Sequence, residues 1–280
     1  MEDKKAPIRF PAELAKFNTP NIMGSQKSLN FTFMSDMATI AQAIPPVLEP
    51  AFPMMSGYIT YIDAPAFAEP YREAMLGAYV NYKGTIGLYP MMFLLSGPGA
   101  EQATLPGRER FGLPKKMCEN TDCIRLERNG DVVRGTAERK GVVLLDVSLK
   151  IGEYNSPAAV NFYGQPAPGV KSGGMSFYTQ PVIEPDGNGN DHFARVNHYS
   201  NIAEYTYKSW EPGAVVVRTQ SSRNDIWGAF PVFENIGGAY NENDLEMKEL
   251  YLVDTGDAGE CMPMLLSTRY DRIGILGVEK

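Results

Sequence analysis

The 280-residue chain is short of the side chains that hold metals and disulfides, with three cysteines and two histidines. Cys118 and Cys123 are close and Cys261 is distant, an odd set that makes no disulfide framework. There is no CxxC pair, and the spacing of His192 and His198 fits no usual zinc motif. No metal site is therefore expected. Long apolar runs are also missing. The longest, Tyr89 to Leu95, contains Pro90 and is far below the ~18 residues a spanning helix needs. The start, Met1-Glu2-Asp3-Lys4-Lys5-Ala6-Pro7, has charges with no apolar stretch behind them. Together these predict a cytoplasmic protein without a membrane segment. Positive charge is scarce too: the net charge is −7, and no basic patch interleaved with aromatics appears. Nucleic acid is excluded as a partner on that ground.

What is present suits a well-filled core with many turns: 44% of residues are hydrophobic, and there are 27 glycines and 21 prolines. No internal repeat or long linker divides the chain, so 1–280 reads as a single domain, with 1–25 an irregular arm bearing Pro7, Pro11 and Pro20. Strands are expected at Leu29–Phe33, Tyr58–Ile62, Ala74–Tyr82 and Ile86–Leu95, and a helix at Met37–Ala43 capped by Asp36 and ended by Pro45-Pro46. Residues 64–72, with Pro65 and Pro70, read as a loop. Asn129-Gly130 is a strong hairpin signal between Ile124–Arg128 and Asp131–Glu138, and Lys140-Gly141 turns the chain again into Val142–Lys150. Further strands are expected at Met175–Ile183 and Ala214–Gln220, and a helix at Asn243–Leu252. Asp186, Asn188 and Asn190 have the look of a calcium loop, but Asp191 and Asn197 occupy its glycine and glutamate positions, so a polar turn is expected. The balance is mainly β, an antiparallel barrel or sandwich with a few short helices.

The chemistry concentrates in Gly107-Arg108-Glu109-Arg110-Phe111-Gly112-Leu113-Pro114-Lys115-Lys116-Met117-Cys118. A lysine is a poor nucleophile while protonated, and in water only about one amine in a few thousand is free at neutral pH. Burial or a neighbouring cation disfavours the charged form. Lys115 has Lys116 beside it and apolar residues around it, the surroundings in which a lysine attacks ketones to give a Schiff base. The bland alternative is a solvated basic turn.

Gly107-Arg108-Glu109, four residues, then Pro114-Lys115-Lys116 resembles the signature of the acetoacetate decarboxylase family. Tyr71-Arg72-Glu73 followed by Ala78-Tyr79-Val80 resembles its Tyr-x-Glu segment, and Asn30 to Met37 with Ile44-Pro45 resembles its early strand and short helix. The resemblance implies a closed β-barrel or cone with the active site inside, no cofactor, and a homo-oligomer acting on a small oxo acid. It implies Lys115 as the Schiff-base lysine, Lys116 as its modulator and Glu73 as general acid/base; Arg108 and Glu109 read equally as an internal ion pair orienting the lysine loop or as direct participants in catalysis. Were Pro114–Met117 extended, Lys116 would aim away from the pocket, because neighbouring side chains on a strand face opposite ways. A salt bridge to Lys116 or Arg108 is the structural alternative for Glu73.

Gln26 stands where the family places an arginine that grips the substrate carboxylate. A neutral amide gives up that bidentate, charge-assisted grip. Decarboxylation of a β-keto acid through a lysine imine thus has a rival in aldol or dehydration chemistry between a pyruvate-like 2-oxo acid and an aldehyde. A non-catalytic small-molecule binding protein on the same fold is a second alternative.

Overall fold

A computed structural model describes residues 21–162, 168–169 and 171–271. The protein is mostly β with a few short helices. Eleven strands run β1 (Asn21–Met34), β2 (Glu49–Pro65), β3 (Tyr71–Tyr82), β4 (Thr85–Ser96), β5 (Lys115–Met117), β6 (Ile124–Asn129), β7 (Val132–Arg139), β8 (Val142–Ile151), β9 (Lys171–Pro185), β10 (Asp191–Thr219) and β11 (Glu234–Gly256). The helices are α1 (Met37–Gln42), α2 (Ala100–Phe111), α3 (Pro157–Phe162) and α4 (Ala258–Arg269). None of the described helices is long and apolar enough to cross a membrane.

The hydrogen-bonded path β11-β1-β2-β3-β4-β9-β10 returns to β11, so these strands close into a ring. All its joints are antiparallel except β4 to β9, where one parallel pair, Leu88 with Ser176, completes the circuit. The meander β6–β7–β8 branches from the C-terminal half of β10. The larger apolar cluster includes Leu29, Phe31, Ile59, Leu94 and Val147. A second, smaller one gathers Ile62, Tyr71, Met75, Phe93, Phe111, Leu113 and Tyr178.

The turn chemistry acts locally as expected. The Asp36 carboxylate accepts from Thr39 N at 2.7 Å and starts α1. Gly130 and the Lys140-Gly141 pair adopt positive φ at the two meander turns. The Asp186 carboxylate accepts from the Asn188 and Asn190 backbone N–H groups, forming the polar turn between β9 and β10. The region 64–72 is a loop only between Pro65 and Tyr71.

Three expectations are corrected. Asn243–Leu252 is not a helix but part of β11, because β10 pairs it along its length and β1 pairs its first half, up to Met247. Asn21–Ser25 are not part of an irregular arm: they open β1, with Asn21, Ile22 and Met23 pairing β11, while residues 1–20 lie outside the described part. Strands β1, β2 and β9 also extend beyond their expected bounds, and β10 begins well before its expected start, their register carried by neighbours rather than by local β-propensity.

Candidate active site

One row of side chains crosses four strands. Tyr58 on β2 pairs with Met75 on β3, Met75 with Phe93 on β4, and Phe93 with Lys115 on β5. Glu73 lies two residues from Met75 and shares its face. The sheet register thus brings Lys115, Glu73 and Tyr58 together from three separate segments. Lys115 Nζ donates to Glu73 Oε2 at 2.8 Å, and both side chains are buried, 7% and 4% exposed. Tyr58 Oη donates to Glu73 Oε1 at 2.6 Å. Both carboxylate oxygens are therefore held. Burial, helped by the charge of Glu73, pushes the Tyr58 phenol well above its usual pKa, so it remains a donor. Lys115 Nζ also lies 5.6 Å from the Phe93 ring centre and 5.9 Å from that of Tyr71.

The segment before Lys115 is shaped to admit it. Gly107, inside α2, faces the lysine stem: a Cβ there would sit 2.8 Å from Lys115 Cδ and 2.9 Å from Cε. Gly112 ends the helix with φ 70°, a left-handed cap that favours glycine. Arg269 on α4 is buried and donates to the carbonyls of Gly112 (2.8 Å), Leu113 (3.3 Å) and Arg108 (3.2 Å), clamping the turn that leads into the lysine.

Lys116 takes the opposite face, as an extended Pro114–Met117 requires. Its ammonium bonds the Asn224 carbonyl at 2.5 Å and Asp225 at 3.0 Å, with Asp271 at 3.7 Å. Arg139 bridges the same two carboxylates at 3.0 and 2.8 Å. Burial lowers the Lys116 pKa, and Asp225 opposes that shift. Arg108 sits nearer the nucleophile: it donates to the Lys115 carbonyl at 3.4 Å and stacks on Tyr270. Glu109 turns its side chain outward while its carbonyl accepts from the Gln180 amide. No Arg108–Glu109 ion pair occurs among the described residues, and the partner of Glu73 is Lys115 rather than Lys116 or Arg108.

A cavity of about 40 Å³ adjoins the pair, and Glu73 lines it. Met23, Ile62 and Leu245 give it apolar walls; Gln26, Asn30 and Asn243 contribute amides; Tyr58 and Tyr205 add phenols. Glu73 is the single ionisable carboxylate among the lining residues, which include no arginine or lysine. Gln26 is buried, its amide donating to the Met23 carbonyl at 3.2 Å, and it also lines a surface depression with Lys27 and Lys208.

Residues 5–255 match the family described as acetoacetate decarboxylase (ADC). The chain belongs to the acetoacetate decarboxylase family. A relative from Lactiplantibacillus plantarum, named a CLA biosynthesis isomerase, is 34% identical over 268 residues, covering 95% of this chain and 94% of the relative. Among solved structures, the acetoacetate decarboxylase of Legionella pneumophila superposes with a TM-score of 0.68 at 14% identity, over 91% of this chain and 94% of that one. The enduracididine biosynthesis enzyme MppR, in complex with the condensation product of pyruvate and imidazole 4-carboxaldehyde, gives 0.66 at 13% identity, over 88% and 94%. At such identities these two superpositions show the shared fold.

Tyr58, Arg269 and Asn243 were absent from the sequence-based site. Tyr58 lies at the centre of a strand with no flanking motif. Asp257, whose carboxylate accepts from Glu260 N at 3.2 Å, is the signal that could have placed α4 and hence Arg269.

Proposed function

We propose that the protein acts on a carbonyl compound through an imine at Lys115, with Glu73 as the proton carrier. The observation that carries this is the buried 2.8 Å contact between Lys115 Nζ and a carboxylate that also lines the cavity. Glu73 takes a proton from the amine, and the Nζ lone pair attacks the carbonyl carbon. The carbonyl oxygen leaves as water, giving a protonated imine. That cation draws electrons from the neighbouring C–H bond, whose proton passes to a base in reach, Glu73. Returning the proton to a different carbon and hydrolysing the imine frees an isomerised ketone and restores the amine.

Isomerisation by proton relocation fits the cavity better than cleavage of an oxo acid. A substrate carboxylate would enter beside the Glu73 carboxylate and meet neutral amides and hydroxyls but no arginine or lysine among the lining residues, and burying a carboxylate without a strong partner is costly. A ketone carries no such charge. In a β,γ-unsaturated ketone, the same two proton transfers would bring the double bond into conjugation. The name of the Lactiplantibacillus plantarum relative supports an isomerase.

The second reading is a carbon–carbon lyase on a small oxo acid, by decarboxylation or by aldol and dehydration steps. It is favoured by the family match and needs the same lysine. The test incubates the protein with pyruvate, acetoacetate and a β,γ-unsaturated ketone, each with and without borohydride. The expected result is one adduct on Lys115 with the ketone, and conjugation of its double bond followed by ultraviolet absorbance. Carbon dioxide release from acetoacetate without ketone isomerisation would select the lyase. An adduct on another residue, or none with any carbonyl compound, would overturn both.

A further inference from the structure

Tyr58 and Tyr205 both line the cavity beside Glu73, but only one of their hydroxyls is occupied. Tyr58 gives its O–H to Glu73 Oε1 at 2.6 Å. The Tyr205 hydroxyl bonds nothing among the described residues. Nor is it sealed: the buried side-chain atoms left without a partner there are Ser35 Oγ, Asn201 Oδ1, Asn243 Oδ1 and Arg269 Nε. A half-buried phenol with an open, unpaired oxygen faces space that a ligand or solvent can fill.

The strand register identifies that space. Tyr205 on β10 pairs directly with Leu245 on β11, and directly opposed residues share a face. Leu245 lines the cavity, so the tyrosine points inward with it. Electrostatics agrees. Burial, and after it the charge of Glu73, pushes the Tyr205 phenol up to about 12. Tyr205 adds in turn to the upward shifts that burial imposes on Tyr58 and Tyr178. Its oxygen therefore lies inside the ring and keeps its proton at neutral pH. Both oxygens of Glu73 are already engaged by Tyr58 and Lys115, which leaves the Tyr205 O–H for a ligand.

We propose that Tyr205 is a further catalytic residue, whose O–H bonds the substrate's carbonyl oxygen while the Lys115 amine adds to the carbonyl carbon. This rests on the reading of Lys115 as the imine-forming residue. A cavity of about 40 Å³ admits only a few heavy atoms, so a carbonyl group seated beside Glu73 lies beside Tyr205 as well. As the Nζ lone pair forms the C–N bond, the C=O π pair moves onto oxygen, and Tyr205 donates to that growing charge. Glu73 hands the oxygen the proton it took from the amine, takes a second from the same nitrogen, and delivers it as the C–O bond breaks. Water leaves, the protonated imine remains, and Tyr205 ends with the proton it began with. Gln26 and Asn30 also bring amides to the cavity. The Gln26 amide already donates to the Met23 carbonyl, and an amide N–H is a weaker acid than a phenol O–H.

The test mixes wild type, Tyr205→Phe and Tyr207→Phe with pyruvate, acetoacetate or a β,γ-unsaturated ketone in deuterated water. Borohydride stops each reaction at set times, and the Lys115 peptide is weighed. Tyr205→Phe keeps the ring that stacks on Tyr207 at 5.8 Å and loses only the oxygen. The adduct is expected to form about 100-fold more slowly in this variant, the size of effect seen when one oxyanion donor is lost. Tyr207, which does not line the cavity, should be replaceable by Phe at no cost in labelling rate. The carbonyl oxygen is gone once the imine exists, so deuterium uptake per trapped adduct should match the wild type in all three proteins. Labelling of Tyr205→Phe at the wild-type rate would overturn the proposal and leave the imine reading intact. Equal slowing by Tyr207→Phe, or slowing of deuterium uptake together with labelling, would overturn it too, as the mark of a disturbed cavity. No Lys115 adduct in the wild type would remove the imine reading, and the role of Tyr205 with it.

Discussion

Lys115 and Lys116 are neighbours in the chain, yet their ammonium groups serve different sides of the sheet. One meets Glu73 beside the cavity and the other meets Asp225 behind it. The charge of Lys116 is already answered by its own carboxylates, with Arg139 and Asp271 completing the group. Lys116 therefore points its charge away from the Lys115 amine, which is buried against Glu73.

Lys115→Ala is expected to abolish both turnover and borohydride trapping. Glu73→Gln is expected to lower kcat by about 100- to 10,000-fold, the span of general acid–base catalysis, while an adduct on Lys115 still accumulates. Steady-state kinetics beside intact mass measurements checks the split. Equal loss of both readouts in Glu73→Gln would place the glutamate in lysine positioning alone.

Tyr58→Phe removes the donor to Glu73 Oε1 and keeps the ring. A hydrogen bond to a charged group is worth about 1.5–3 kcal/mol, so kcat should fall roughly 10- to 100-fold. The melting temperature checks that the β2–β3 packing survives; an unchanged kcat would show that Glu73 needs no such support.

Gly107→Ala is expected to disable the site through space alone. Its Cβ would meet the Lys115 stem at 2.8 Å, so the stem must shift and the contact of its amine with Glu73 is expected to loosen. Trapping should drop steeply. Gly174→Ala, where a Cβ meets nothing within 4 Å, serves as the control and should trap normally.

Asp225→Asn should destabilise the fold by about 3–5 kcal/mol, the usual result of removing one partner from a buried charged group. It strips Lys116 and Arg139 of a carboxylate that is 2% exposed. Urea denaturation measures the loss, and a change below about 1 kcal/mol would mean that Asp271 alone sustains both cations.

Asp271 gives the stability a defined acid limit. Its bonds to Arg139 and Lys140 depress its carboxyl well below the ordinary value of 3.8, against the opposing effect of burial. A depressed folded-state pKa contributes stability that is fully present above the unfolded value and is lost as pH falls toward the folded one. Melting temperatures should therefore fall below about pH 4. Asp271→Asn should be less stable than the wild type at pH 7, with the gap narrowing in acid. A gap that stays constant with pH would contradict the linkage.

Legibility followed the range over which each feature is determined. Asp36, Asn129-Gly130 and Lys140-Gly141 act within a few residues, and their turns and cap were readable directly. The Glu73 and Lys115 segments were readable because each bears a compact motif. The helix expected at Asn243–Leu252 failed because β1 and β10 decide that segment from outside it. Helix α2 went unassigned because Pro106 and Gly107 interrupt its pattern, the glycine being required by the lysine rather than by the helix. The clamp from Arg269 to the 108–113 turn spans more than 150 residues, so the Asp257 cap could have located its helix but not its target.

The single parallel pair joining Leu88 to Ser176 has a mechanical meaning. Every other joint of the ring is stitched by many rungs, so separating two strands there requires breaking a ladder. At β4 and β9 it requires parting one rung plus side-chain packing. The circuit thus has a clasp as well as a wall. Breathing motions should concentrate at that clasp, with amide protons near Leu88 and Ser176 exchanging ahead of those in β1, and the pocket beside Glu73 keeping its shape while the seam works.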